Sequence, residues 1–179
     1  MAHQSAHWAA CSQAMVRPPP NWLKMNVDAS LLPSNRAGLG LVIRDHEGKL
    51  VLAVGHHIEH WDANFVELLV AQAMKDVIED WMFDCTVIII EGDCSKVIVW
   101  LQQLRDHRYK IHREIADVVL SFLGYFNQVL FNYVPRQSNR PADLCARYAL
   151  DRSFIWKFVS DSDVPDAFTS LLREESNRV

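Results

Sequence analysis

The chain is poor in the features that would assign it to several large classes. Its 179 residues contain four cysteines, Cys11, Cys85, Cys94 and Cys145, and none forms a CxxC pair. No Cys/His spacing fits a zinc site. Cys85 and Cys94 flank an apolar strand and read as buried thiols in a reducing compartment. There is no excess of positive charge: 18 Lys and Arg against 22 Asp and Glu leave a net charge of −4. That argues against a protein that coats nucleic acid by bulk charge, while a local patch stays open. Residues 1–15 lack the charged start and apolar run of a signal peptide. The uncharged stretch 118–134 is interrupted by Ser121, Gly124, Asn127, Gln128 and Asn132. It reads as a helix running into a strand rather than a membrane span. No internal repeat is visible. These absences predict an intracellular protein, nuclear or cytoplasmic, with no membrane partner. The lack of acids in residues 1–20 keeps an organellar targeting segment in view. Nothing in the sequence indicates an oligomeric state.

What is present is core-forming material. Half of the residues are hydrophobic, with eight Phe and six Trp, enough to exclude wholesale disorder. Residues 1–20, ending in three prolines, read as a flexible leader or linker. Residues 21–150 read as one domain, and residues 151–179 as an extension carrying a short packed helix. In KMNVDASLL, residues 24–32, Met25 and Val27 alternate with Lys24, Asn26 and Asp28, the period of a half-buried strand. Asn and Asp are depleted in strands, so two of them on one face of this one call for an explanation. Further strands are predicted over residues 39–44 and 49–56, joined by the turn DHEG. Asn35, Arg36 and Gly38 mark the turn before them. A helix is predicted over residues 65–81, and a strand buried on both faces in CTVIII, residues 85–90. Helices follow over 95–104 and 111–123, then a strand over 129–134 and a helix over 139–150. The order βββαβααβα predicts an α/β fold: a five-stranded mixed sheet, its first three strands antiparallel, flanked by helices.

Four acids stand in unusual places. Asp28 lies near the end of the first strand and Asp93 just after the fourth. Parallel neighbours would bring the two out side by side where the strand order reverses. Glu67 is the only charge in FVELLVAQAM and lines up with Ala71, Met74 and Ile78. A lone carboxylate on an apolar stripe must be paired, protonated or bound to a cation. Asp143 falls in the first turn of the last predicted helix, where the helix dipole by itself favours an acid. Asp93 alone reads equally as a helix cap. Taken together, converged carboxylates repel unless divalent cations neutralise them. Magnesium suits such a site, because it takes oxygen ligands and borrows the rest of its shell from water and phosphate.

In order and spacing, PPPNWLKMNVDAS, AGLGLVIRDHEGKL, FVELLVAQAMK, VIIIEGDCSKVI and NYVPRQSNRPADLCARYAL resemble the ribonuclease H family. The closer likeness is to the plant reverse transcriptase-like ribonuclease H domains, known alone and as tails of retroelement polyproteins. It covers about residues 18–150, and residues 164–172 fit the family's usual ending. The resemblance implies a ribonuclease H-like fold and an Asp-Glu-Asp-Asp set on Asp28, Glu67, Asp93 and Asp143. These would be at once catalytic residues and ligands of two Mg²⁺ ions, with Mn²⁺ as a substitute. It implies cleavage of the RNA strand of an RNA–DNA hybrid, water being the nucleophile, to leave 3′-hydroxyl and 5′-phosphate ends. Two departures stand out. Ala29 replaces the glycine usual after the first Asp. The loop VPRQSNRPAD has no histidine, leaving Arg136 as the nearest candidate there for a phosphate contact.

The basic stretch RDHRYKIHR offers Arg105, Arg108, Lys110 and Arg113 either as a duplex grip or as a solvated interhelical loop. Asn35, Arg36, Asn64 and Asn139 are further nucleic-acid candidates whose ordinary roles are turns and caps. HHIEH, residues 56–60, reads as a polar loop rather than a metal site. Trp22, Trp61, Trp81 and Trp100 read as core or rim packing. The rival to a hybrid-cleaving enzyme is a binding module derived from a retroelement, holding nucleic acid or protein without turnover. A 3′–5′ exonuclease also uses four acids, but leads with Asp-x-Glu where this chain has NVDAS.

Overall fold

Three successive strands build the antiparallel half of a mixed sheet. A computed structural model describes residues 17–59, 61–62, 65–106, 121–157 and 164–176. β1 (Trp22–Leu31) pairs antiparallel with β2 (Ala37–Arg44), and β2 with β3 (Leu50–Ile58). The β2–β3 turn forms because the Asp45 carboxylate accepts from the backbone N–H groups of Glu47 and Lys49. The β1–β2 turn forms because Asn35 accepts the left-handed conformation, φ 60°. Gly38, expected in that turn, lies within β2 instead.

The parallel half follows from the helices. α1 (Val66–Val77) carries the chain to β4 (Val87–Gly92), which lies parallel to β1. The predicted helix over 65–81 stops earlier, at Ile78, whose backbone is extended. A 3-10 turn, Asp80–Asp84, then buries Met82 in the core. α2 (Ser95–Arg105) leads away from β4, and β5 (Gln128–Tyr133) pairs parallel to it. The helix predicted over 111–123 lies outside the described residues up to 120, and Ser121–Tyr125 is a 3-10 turn. α3 (Arg140–Tyr148) and α4 (Asp166–Ser176) complete the described elements.

The sheet has six strands, in the order β5-β4-β1-β2-β3-β6. The sixth, β6 (Phe154–Trp156), pairs antiparallel with β3 and corrects the expectation of five. Three residues are too short to display a strand's alternation, and the pairing covers part of the edge that β3 would otherwise leave open. At the other edge, Gln102 and Arg105 of α2 donate to the carbonyls of Phe131 and Val129.

Two apolar layers sandwich the sheet. On one side Leu23, Met25, Val27, Leu41, Ile43, Ile88 and Ile90 pack on α1 and α2. On the other, Val42, Ala53 and Trp156 pack on Ala142 and Cys145 of α3 and on Phe168 and Leu172 of α4. β4 is buried along its whole length, as its unbroken apolar run required. Cys145 is buried, but Cys94 is exposed and Cys85 only partly covered. Cys94 lies beyond the end of β4, at the cap of α2, where the strand's burial no longer reaches it.

α3 lies on β2 with almost nothing between them. A Cβ added at Gly40 would overlap backbone atoms of Ala142 and Ala146, and one at Gly38 those of Ala146 and Ala149. Rigid backbone cannot yield as a side chain does. Gly40→Ala is therefore expected to cost about 3 kcal/mol, the upper range for overpacking, read as a shifted urea midpoint. A cost within about 0.5 kcal/mol of zero would mean that α3 is not held where this packing puts it.

Candidate active site

The site forms where the parallel strands end. The β1–β4 register runs from Trp22 opposite Val87 to Val27 opposite Gly92, so Asp28 and Asp93 come next on each strand. Their carboxyl groups lie within hydrogen-bonding reach of each other. Val134 donates its N–H to the Gly92 carbonyl and ties the end of β5 to the same place.

Charge is in excess here. Asp28 is pushed up to about 7, first by burial and next by the charge of Asp93. The Ala29 N–H, donating to Asp28 Oδ1 at 2.8 Å, works in the opposite direction, and Asp143 adds a further upward push. Asp143, in the first turn of α3, is 7% exposed and balanced differently. Arg136 donates to its Oδ1 at 2.8 Å, and Arg147, one helical turn on, donates to Oδ2. The Arg136 side chain is 72% exposed and is held in its charged state by Asp143 first, then by Asp28 and Asp93. Glu67 occupies the first turn of α1; its carboxylate lies outside the described positions.

The remaining candidates divide. Asn139 is fully buried, donating to the Val27 carbonyl at 2.9 Å and accepting from Asn26. Its amide belongs to the interior, which removes it as a nucleic-acid contact. Arg105 is committed to the Val129 carbonyl, to Asp106 and to the Phe131 ring. Asn35 and Arg36 are exposed in the β1–β2 turn. Asn64, Arg108, Lys110 and Arg113 lie outside the described residues. HHIEH begins as strand rather than loop: His56, His57 and Ile58 continue β3, His57 is fastened to Ser153 and the Ala149 carbonyl, and His60 lies outside the described residues.

Behind the acids lies a buried polar layer. Asn26 Oδ1 accepts from Arg44 at 2.8 Å, and its amide nitrogen donates to Glu91 and to Asn139. Lys24 pairs with Glu91 at 3.2 Å, and Arg44 with Glu175 of α4 at 2.7 Å. Burial pushes the Lys24 ammonium down, and Glu91 opposes the shift. Asn26 stood out in the sequence beside Asp28, but its place in this layer, the layer itself and Arg147 did not. Asn26 had a signal, as a polar residue in an apolar strand, and so did Arg147, four residues beyond an acid on one helix.

Among the described residues, no group of three or more His, Cys, Asp or Glu side chains stands ready to hold a metal ion. The fit to a cation rests on the Asp28–Asp93 pair. Two adjoining carboxylates, one held near neutrality by burial and like charge, are oxygen donors suited to a hard divalent ion.

A mixed sheet in this order, with helices on both faces and acids at the β1/β4 switch point, defines an α/β domain of the ribonuclease H-like fold. Solved structures of that fold are similar over 72–73% of the chain. The RNase H1 of the archaeon Halobacterium salinarum NRC-1 is 23% identical, with a TM-score of 0.58 over 73% of this chain and 98% of that one. The N-terminal RNase H domain of Rv2228c from Mycobacterium tuberculosis is 18% identical, with a TM-score of 0.56 over 73% and 94%. LC11-RNase H1 in complex with an RNA/DNA hybrid is 15% identical, with a TM-score of 0.52 over 72% and 96%. No individually curated protein matches the chain. The family model described as reverse transcriptase-like matches residues 26–149, and the chain belongs to that family.

Asp28 binds more protons in the native state than in the unfolded one between about pH 4 and pH 7. Its contribution to stability therefore falls as pH rises through that window, with no further change above it. In metal-free buffer, Asp28→Asn is expected to gain stability over the native chain at pH 8 and to lose most of that gain at pH 4.5. Parallel urea-unfolding curves at the two pH values would show that Asp28 ionises normally.

Proposed function

We propose that the chain is a divalent-cation-dependent endonuclease that cleaves the RNA strand of RNA–DNA hybrids. The observation that carries this reading is the half-buried Asp28–Asp93 pair at the carboxyl ends of β1 and β4. Carboxylates forced together there, with one pushed toward neutrality, are a poor stability device and a good cation site. Family membership and the fold shared with a hybrid-bound RNase H1 support the substrate class.

In this reading Asp28 and Asp93 hold the cations, with Glu67 and Asp143 completing the set. Held there, two Mg²⁺ or Mn²⁺ ions would supply the Lewis acidity that activates a water and stabilises the leaving oxygen. The water oxygen bonds to phosphorus as the bond to the 3′-oxygen breaks, leaving a 3′-hydroxyl and a 5′-phosphate. Asp143 becomes available as Arg136 turns from it toward the phosphate backbone. The exposure of Arg136 leaves it room to do so. Asn35 and Arg36, exposed in their turn, and Arg108, Lys110 and Arg113 supply further backbone contacts. Recognition of the RNA strand through 2′-hydroxyls fits the wide minor groove of such duplexes.

One observation favours a second reading, a hybrid-binding module without turnover. Asp143 is already neutralised by two arginines, and a site that keeps those pairs lacks its fourth ligand.

Cleavage of a labelled hybrid in Mg²⁺, beside double-stranded DNA and double-stranded RNA, separates the two readings. Hybrid-only cleavage, lost with EDTA and reduced about 10²–10³-fold in Asp93→Asn, is the expected result. Salt-dependent hybrid binding with no cleavage in Mg²⁺ or Mn²⁺ selects the binding module. Arg136→Ala is expected to lower the salt slope of hybrid binding by about one. An unchanged slope would remove Arg136 as a phosphate contact.

A further inference from the structure

Asn139 touches two of the acids' supports at once. Its side-chain amide donates to the Val27 carbonyl at 2.9 Å, in the peptide that leads directly into Asp28. Its own carbonyl accepts the N–H of Asp143 at 3.1 Å. One residue thus joins the strand end that presents Asp28 to the helical turn that presents Asp143.

The orientation of Asn139 is dictated from behind. Arg44 only donates, so Asn26 must turn its oxygen toward it, at 2.8 Å. The Asn26 amide nitrogen then faces two acceptors, Glu91 at 3.2 Å and Asn139 Oδ1 at 3.1 Å. That leaves the Asn139 nitrogen for Val27. Arg44 itself is 1% exposed and keeps its place through Glu175, the buried acid near the end of α4. A guanidinium buried that deeply is not tolerated without its counter-charge. From Arg44 the donors run in one sense to the edge of the site, through Asn26 and Asn139 to the Val27 carbonyl, while Glu175 of α4 accepts from the other side of the same guanidinium.

We propose that Asn139 is a positioning residue that sets Asp28 against Asp143. It is oriented by Asn26 and the Arg44–Glu175 pair, so that α4 belongs to the working parts of the site. This rests on the cation-dependent reading above. Residues that orient metal ligands from outside the first shell typically change affinity or activity by about 10–100-fold.

The test uses the full chain and Mn²⁺ as the probe, with binding read from water-proton relaxation and turnover from hybrid cleavage. Asn139→Ala is expected to weaken Mn²⁺ binding about tenfold and to lower kcat with KM for the hybrid little changed. Glu175→Gln, milder for folding, is expected to move both in the same direction by a smaller factor. Phe168→Leu is the control: it lies on the same helix, fully buried in the apolar layer and outside the polar chain. It is expected to lower the melting temperature while leaving Mn²⁺ affinity and kcat as they are. All are compared below every variant's melting temperature. If Asn139→Ala and Glu175→Gln behave like Phe168→Leu, the positioning role is overturned while the cation-dependent reading stands. If the native chain neither binds Mn²⁺ nor cleaves hybrid, that reading fails and this inference fails with it.

Discussion

A strand whose polar face is buried under helices is the constraint on which the rest of the structure depends. β1 sends Leu23, Met25 and Val27 into one apolar layer and must therefore send Lys24, Asn26 and Asp28 toward α3 and α4. Buried polar groups are tolerated only when each has its partners. Glu91 on β4, Arg44 on β2, Asn139 before α3 and Glu175 on α4 are those partners. Each comes from a different element, so satisfying one strand ties five segments of the chain together. Asp28 is the last charged residue of the stripe, and the charge beside it is another acid, Asp93, rather than a cation.

The charges sort by depth. In the interior, Lys24 and Arg44 are matched by Glu91 and Glu175, two cations against two anions. At the strand ends, Asp28 and Asp93 repel, and Asp143 is balanced by two arginines, both more than half exposed. A buried matched pair supports a unique arrangement, whereas an unmatched pair of acids at a rim is a site that gains stability from a cation. The inner layer holds the outer one in its unfavourable geometry. The contact of α3 with Gly38 and Gly40 of β2 does the same for Asp143, because no side chain intervenes to let the helix slide.

The departures from the family pattern fall at the rim. Ala29 is exposed, and its backbone N–H makes the bond to Asp28 that any residue other than proline would make. Its methyl group bears on what approaches from outside and leaves the carboxylate alone. Arg136 stands in the loop that lacks a histidine, and there it is a permanent counter-charge to Asp143 rather than a group that transfers protons.

Much of this was legible in the residues. The alternation in β1, the unbroken apolar run of β4 and the turn chemistry of DHEG follow from local period and backbone preference. Those signals survive any tertiary arrangement, and they placed Asp28 and Asp93 at strand ends. The parallel pairing that sets the two acids side by side is a long-range event, which no local pattern encodes. The sixth strand was hidden because three residues carry no period. The helix predicted over 65–81 ends at Val77, and the next residues form a short turn that buries Met82. Asn139, offered as a nucleic-acid contact with a cap as its ordinary role, stands at the N-cap of α3 but sends its side chain inward to Val27, since hydrogen-bond partners 112 residues apart are invisible until the chain is folded. The sequence by itself determined the five longer strands, the starts of most helices and the acids they carry. Which polar groups face each other, which acids stay unbalanced and which arginines balance the rest were decided by tertiary structure, because charge and hydrogen bonding act through space rather than along the chain.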